Sequence, residues 1–334
     1  MAYTTIDDPS AYFQTTIYTG NGTDDTAITH GGNSDLQADW VWIKNRTAAG
    51  EGHHWYDSVR GVTKRLRSDT TAAESTVSNG LQGFGTNGFT VGDRAGVNQN
   101  NIPIVSWNWK ETATAGFDMV SYTGNATGGR TIAHSLSAVP KMMIVKNRDA
   151  TVKWAVYHHK NTAAPGTDHL KLDVNDATAD DDSTWNDTVP TSSVFSVGGS
   201  TSTNGDGTAY IAYLFAEKKG YSKFGSYVGN ASSNGTFVYT GFKPAFVIFK
   251  KSAGTGSWAI QDNKRTPFNE GNKALFADTN AVESTSDNSM DFVSNGFKIR
   301  TDTANYNTSG DLYIYMAFAE NPLVTSTGIP ATAR

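Results

Sequence analysis

The sequence predicts an all-β chain built as three tandem homologous units, each a two-sheet β-sandwich or jelly roll. One observation is a signature that returns: Tyr18-Thr19-Gly20-Asn21, Tyr122-Thr123-Gly124-Asn125 and Tyr227-Val228-Gly229-Asn230 stand roughly a hundred residues apart. Another is composition, since runs of Tyr, Phe, Val and Ile alternate with clusters of Gly, Asn, Thr, Ser and Asp, the makeup of strands joined by tight turns. The third is that no segment sustains a helical period beyond a turn or so.

The units are read as 14–116, 117–220 and 221–322, between an N-terminal segment 1–13 and a C-terminal tail 323–334. Each opens on a strand, as at 15–19 and 119–123, followed by a Gly-Asn pair that reads as a hairpin turn with positive φ. The next runs, 40–44, 142–146 and 246–250, each end in lysine and carry apolar residues at both parities, so this strand should be covered on both faces and lie between layers. An acid-Ser-Thr triplet follows, as Glu74-Ser75-Thr76, Asp182-Ser183-Thr184 and Glu283-Ser284-Thr285. An Asn-Gly-Phe corner marks the first and third copies at Asn87-Gly88-Phe89 and Asn295-Gly296-Phe297; the second has Val194-Phe195, so its turn chemistry has drifted. Closing strands fall at 104–109, 210–215 and 313–318. The second of them passes through Ala216-Glu217-Lys218-Lys219-Gly220 straight into the next unit, which implies units packed together rather than beads on a string. Three such copies admit a pseudo-threefold arrangement. The tail, with Pro322 and Pro330, is expected to dock on a neighbour or be disordered.

Composition excludes several function classes. With 27 Lys and Arg against 32 Asp and Glu, the net charge of −5 offers no footprint for a nucleic-acid backbone. The absence of cysteine removes disulfides and thiolate metal sites. Residues 1–9 have no basic start followed by an apolar stretch, so synthesis in the cytoplasm without secretory export is expected, and no run is long enough to span a bilayer.

No constellation of catalytic residues stands out. A retaining glycosidase needs two carboxylates about 5 Å apart, and only the scattered Asp93, Asp118 and Asp206 offer themselves. Glu111, Glu217 and Glu320 recur once per copy, which points to a role in the fold. The pairs His53-His54 and His158-His159 read as polar surface histidines rather than metal ligands, because adjacent strand residues face opposite ways. If Trp154 aligns with Trp258, the counterparts of His158 are Asp57 and Asp262. The acidic stretch 176–187 reads as a solvated loop, and the basic run Arg60, Lys64, Arg65, Arg67 as a solvated face paired with Asp57 and Asp69. For sugar stacking the candidates are Trp55, Trp107, Trp109 and Trp185, whereas the repeat-equivalent Trp154 and Trp258 belong to the core. No metal and no cofactor are expected.

The strings Tyr18-Thr19-Gly20-Asn21-Gly22-Thr23, Asp39-Trp40-Val41-Trp42-Ile43-Lys44-Asn45-Arg46, Asp57-Ser58-Val59-Arg60-Gly61 and Phe318-Ala319-Glu320-Asn321-Pro322, with the tail Thr325-Ser326-Thr327-Gly328-Ile329-Pro330, resemble a family of marine bacteriophage virion proteins. The resemblance covers nearly the whole chain. It implies concanavalin-A-like or SPRY-like sandwich repeats in a non-catalytic virion component, either a tail-fibre or tip adhesin for host-surface glycan or a capsid decoration or head-fibre protein. Expected partners are other virion proteins, host-surface polysaccharide and further copies in a homotrimer, with neither nucleic acid nor membrane insertion. The alternative of a different class is a polysaccharide depolymerase.

Overall fold

The structure, a computed structural model, describes residues 2–287 and 289–332. It is all-β, with antiparallel sheets in three groups that follow the three copies. In the first copy the main sheet runs Phe13–Thr19, Pro103–Trp109, Trp40–Asn45, His53–Asp57, so the closing strand lies between the opening one and the lysine-ended one. The second repeats this order with Phe117–Thr123, Ala209–Phe215, Met142–Asn147 and Ala155–His158, and the third with Ser222–Val228, Leu312–Pro322, Phe242–Lys251 and Ala259–Asp262. A smaller sheet covers each main sheet on one side, at Thr26–Thr29, Gly88–Val91 and Leu81–Gly85 in the first copy and Phe237–Tyr239, Gly296–Ile299 and Met290–Val293 in the third. In the second it has only Arg130–Ala133 and Val194–Val197, because the copy without the Asn-Gly corner lacks the hairpin that the corner builds.

The lysine-ended strands lie between layers, as their two-sided apolar pattern requires. Along them successive side chains alternate between two cores. Val41 and Ile43 face the first copy's small sheet, Met143 and Val145 the second's, and Val247 and Phe249 the third's. Trp40 and Trp42, Met142 and Ile144, and Phe246 and Ile248 instead enter one central cluster shared by all three copies. Seven of the eight tryptophans are in it. The units therefore share a core and are not independent sandwiches. Each large apolar side chain buried there contributes roughly 1.5–3 kcal/mol, and that stabilisation is lost if any unit leaves.

Each unit touches both others in a head-to-tail cycle, which gives the body a pseudo-threefold axis. The Trp154 indole N–H donates to Arg67 O of the first unit (3.1 Å), Trp258 donates to Lys171 O of the second (2.8 Å), and His53 Nε2 pairs with Phe276 O of the third (2.9 Å). The ring is closed by the chain's two ends. Ile6 is buried in the central cluster, and Ser326 N donates to Asp7 Oδ1 at 2.6 Å, so the tail docks on the N-terminal segment.

Two expectations of local structure are corrected. The glycines of the returning signature are not at positive φ; that conformation falls two residues later, at Gly22, Ala126 and Ala231. A glycine is needed because a Cβ on Gly20, Gly124 or Gly229 would come within 2.2, 2.0 or 2.1 Å of a carbonyl oxygen. The following asparagine N–H then docks on a buried side chain, Asn98, Asn204 or Asn307 (3.0, 3.0 and 2.8 Å). Asp182 is likewise not the counterpart of Glu74 and Glu283. Those two donate their N–H to Arg148 O and Arg46 O, and in the second copy the same bond, to Ser252 O, is made by Thr178.

Candidate functional site

The three seams between units hold an equivalent set of buried polar positions, two of them charged. Where the second unit meets the first, Arg60 lies fully buried between Asp57 (2.5 Å) and Glu74 (3.1 Å), Glu74 also holds Arg148 of the second unit (2.9 Å), and the Tyr213 hydroxyl donates to Asp57 (2.7 Å). The seam between first and third units repeats this with Arg265, Asp262 (2.5 Å), Glu283 (3.0 Å), Arg46 (2.6 Å) and the Trp107 indole N–H on Asp262 (3.0 Å). Burial works against the guanidinium charge of Arg60 and Arg265, and the adjoining Asp57 and Asp262 outweigh it, so both pKa values rise. Burial also raises Glu74, but Arg148 and Arg60 pull it below its usual value.

The seam between second and third units carries no charge at these positions. His158, Asn161, Thr178, Ser252 and Met316 stand where the first seam has Asp57, Arg60, Glu74, Arg148 and Tyr213. Thr178 Oγ1 donates to Asn161 Oδ1 (2.7 Å) and His158 Nε2 pairs with Tyr315 O (3.1 Å). Burial, with His159 adding to it, pushes His158 down to about 3, and burial does the same to His53. The alignment of His158 with Asp57 and Asp262 is thus as expected, but the histidine pairs are not surface groups: His53, His158 and His159 make hydrogen bonds across the seams, and His54 is buried within the first unit beside Glu51. Arg60 is not solvated either, although its partnership with Asp57, and that of Arg67 with Asp69 (2.5 Å), are as expected. The lysines ending the two-sided strands, Lys44, Lys146 and Lys250, are buried; burial lowers each to about 8, and carbonyl oxygens hold their ammonium groups.

The stacking candidates are corrected on the same ground. Trp55, Trp107, Trp109 and Trp185 are 0% exposed. Trp109 stacks on Trp40 at 4.2 Å, Trp55 meets Trp154 edge-on, Trp107 meets Phe246 and Trp185 meets Tyr157, so no ring face is open to a sugar. Asp93, Asp118 and Asp206 are not brought together as a pair: Asp93 holds Asn79, Asp206 is exposed, and Asp118 accepts from Ser135 N. Asp118 does sit beside Glu111, whose carboxyl is driven to about 7 by burial and by Asp118, against a hydrogen bond from Met119 N. Among the described residues no group of three or more His, Cys, Asp or Glu is placed to hold a metal ion, and no helix is long and apolar enough to cross a membrane.

An open surface feature lies at the seam of the third and first units. A cleft of about 330 Å³ is bounded by Gln14 and Asn33 on one side and Ala245, Asn263, Lys264 and Glu320 on the other. It adjoins a second hollow beside Lys243, Phe268 and Asn269. Sequence explains the opening. Ala245 occupies the place of Asp39 and Lys141, and Asn263 that of Ser58 and His159, as the bonds Ser58 N to Asp39 O, His159 N to Lys141 O and Asn263 N to Ala245 O show. In the seam of the second and third units His159 reaches across to Phe224 O (2.9 Å), and in the first unit Asp39 accepts from Glu111 N (2.7 Å); the alanine methyl can do neither. Bulges around Pro244, where Phe242–Lys251 pairs with the closing strand, lie at the same edge. The exposed aromatic rings of the described residues, Phe237, Tyr239 and Phe268, all belong to the third unit. Sequence reasoning missed this site; the departure of Ala245 from the charged residues of the other copies was its one signal.

Residues 8–322 match the family model described as "Domain of unknown function (DUF7483)", and the chain belongs to that family. Comparison with the curated proteins and with the solved structures found no match.

Proposed function

We propose that this member of the family is a non-catalytic structural protein of a bacteriophage particle, displayed as a tail-fibre or tip adhesin for a host-surface glycan. The observation that carries the reading is the closure of three homologous units around one shared core, which gives a single chain the outline of a trimer. Such an outline suits a seat of threefold symmetry on a particle. The resemblance of the strings at 18–23, 39–46, 57–61 and 318–330 to virion proteins supports it. On this reading the units are divergent concanavalin-A-like sandwiches, the protein assembles with other virion proteins after synthesis in the cytoplasm, and further copies join as a homotrimer. The same outline also favours a second reading, capsid decoration at a threefold position.

Cryo-electron microscopy of particles from a host producing this protein tests both. Density at the tail or a distal spike is the expected result. Density on the shell replaces the adhesin by decoration, and absence of the chain from particles overturns the virion reading. Release of new reducing ends from host polysaccharide by the purified protein would restore the depolymerase.

A further inference from the structure

We propose that the cleft between the third and first units binds a neutral pyranose residue of an oligosaccharide; the proposal rests on the adhesin reading above. Recognition of a sugar ring needs planar amides, which present a donor and an acceptor side by side to neighbouring hydroxyls, and an apolar surface for the ring's C–H face. Both are at this cleft. Gln14 is spent on the protein itself: its amide nitrogen donates to Ser10 O and Ser34 O and its oxygen accepts from Gly32 N. Asn269 is likewise tied to both backbone groups of Phe292. Asn263 is not, since its Oδ1 has no partner among the described residues. Asn33 and Asn321 border the same cleft. Phe268, 82% exposed, stands beside the adjoining hollow with nothing covering it.

Size and charge narrow the class. A volume of about 330 Å³ is at the small end for ligand pockets, enough for one or two sugar rings. Glu320 is paired with Lys243 at 2.5 Å, and Lys264 is the remaining cation at the rim. Apart from Glu320 and Lys264, whose charges offset, the lining is amides, hydroxyls and apolar groups, so a neutral sugar fits. The seam of the second and third units supplies an internal control, because there His159 bridges to Phe224 O the place that Asn263 leaves open.

The test compares the wild-type protein with Phe268→Ala, Asn263→Ala and Ala245→Asp, on an array of neutral and acidic short oligosaccharides and on intact host cells, with thermal melting of each variant. The expected result is wild-type binding to a neutral oligosaccharide, weakened about tenfold by Phe268→Ala and by Asn263→Ala, and lost in Ala245→Asp. Phe268 is so exposed that its variant should melt with the wild type, which keeps the test independent of folding. Equal binding by wild type and Phe268→Ala, preference for acidic oligosaccharides, or no binding to any neutral one overturns the cleft. If cells are still bound in those cases, the adhesin reading survives; if the wild type binds no cells, it is the adhesin reading that falls.

Discussion

Two seams of this molecule are locked by buried ions and the third, built on the same backbone, by neutral groups. Asp57, Arg60, Glu74 and Arg148 in one seam become Asp262, Arg265, Glu283 and Arg46 in the next, and His158, Asn161, Thr178 and Ser252 in the last. The residues that cap them change in step: Tyr213 and Trp107 donate to a carboxylate, and Met316, which has no donor, lies by the neutral histidine. What the difference teaches is that such a network is exchanged as a set. Removing one member of a buried ion group leaves an uncompensated charge, whereas replacing all of them removes the desolvation cost together with the attraction.

The largest expected effect therefore comes from breaking one charged set. Arg60→Ala should cost about 3–5 kcal/mol in urea unfolding, because Asp57 and Glu74 stay behind in the seam. Asn161→Ala, its neutral counterpart, should cost about 1 kcal/mol. Equal losses would break the comparison. A sharper test converts the whole first set to the neutral one with Asp57→His, Arg60→Asn, Glu74→Thr, Arg148→Ser and Tyr213→Met. That variant should lose less than Arg60→Ala alone, under about 3 kcal/mol; a loss equal to the sum of single substitutions would show that the members act independently.

The remaining effect is in the pH dependence. His158 has a folded pKa of about 3, below its ordinary 6.5, so between these values the unfolded chain binds a proton that the folded chain refuses. Stability then rises with pH through this window by up to about 1.4 kcal/mol per unit and falls on acidification from about pH 6.5. Glu74, held below its ordinary 4.5, contributes stability that is present above that value and is lost only as pH falls through the lowered pKa. The seam bonds of His158 and of His53 should thus weaken in acid before the buried carboxylates do. In denaturation curves at stepped pH, His158→Gln should flatten the slope above pH 4.5; an unchanged slope would place the sensitivity in His53 or His54 instead.

Much of the architecture was legible because repetition and period 2 are local signals. The two-sided pattern of 40–44, 142–146 and 246–250 marked the strand between layers, and the drift at Val194 marked a missing hairpin. What the pattern did not reveal was which residues lie across a seam, since Glu74 meets Arg148 and Trp107 meets Asp262 through contacts between units. For that reason three of the tryptophans suited to sugar stacking by residue type, Trp55, Trp107 and Trp109, proved to be the shared core and Trp185 the second unit's own core, and Asp182 was taken for the partner that Thr178 is. The cleft was hidden for the same reason: a lone Ala245 is unremarked until Asp39, in its place, is seen holding Glu111 N and His159, in the place of Asn263, is seen bridging to Phe224 O.

The shared aromatic centre has a mechanical consequence. A tandem protein whose units each own a core yields to a pulling force one unit at a time, lengthening in steps and absorbing work at each. Here Trp40, Tyr213 and Phe318 belong to different units and one cluster, and the chain's ends are fastened at the seam they share. Tension along this chain meets a single rupture, so the protein is suited to transmit a load as a stiff block rather than to damp it as an extensible tether.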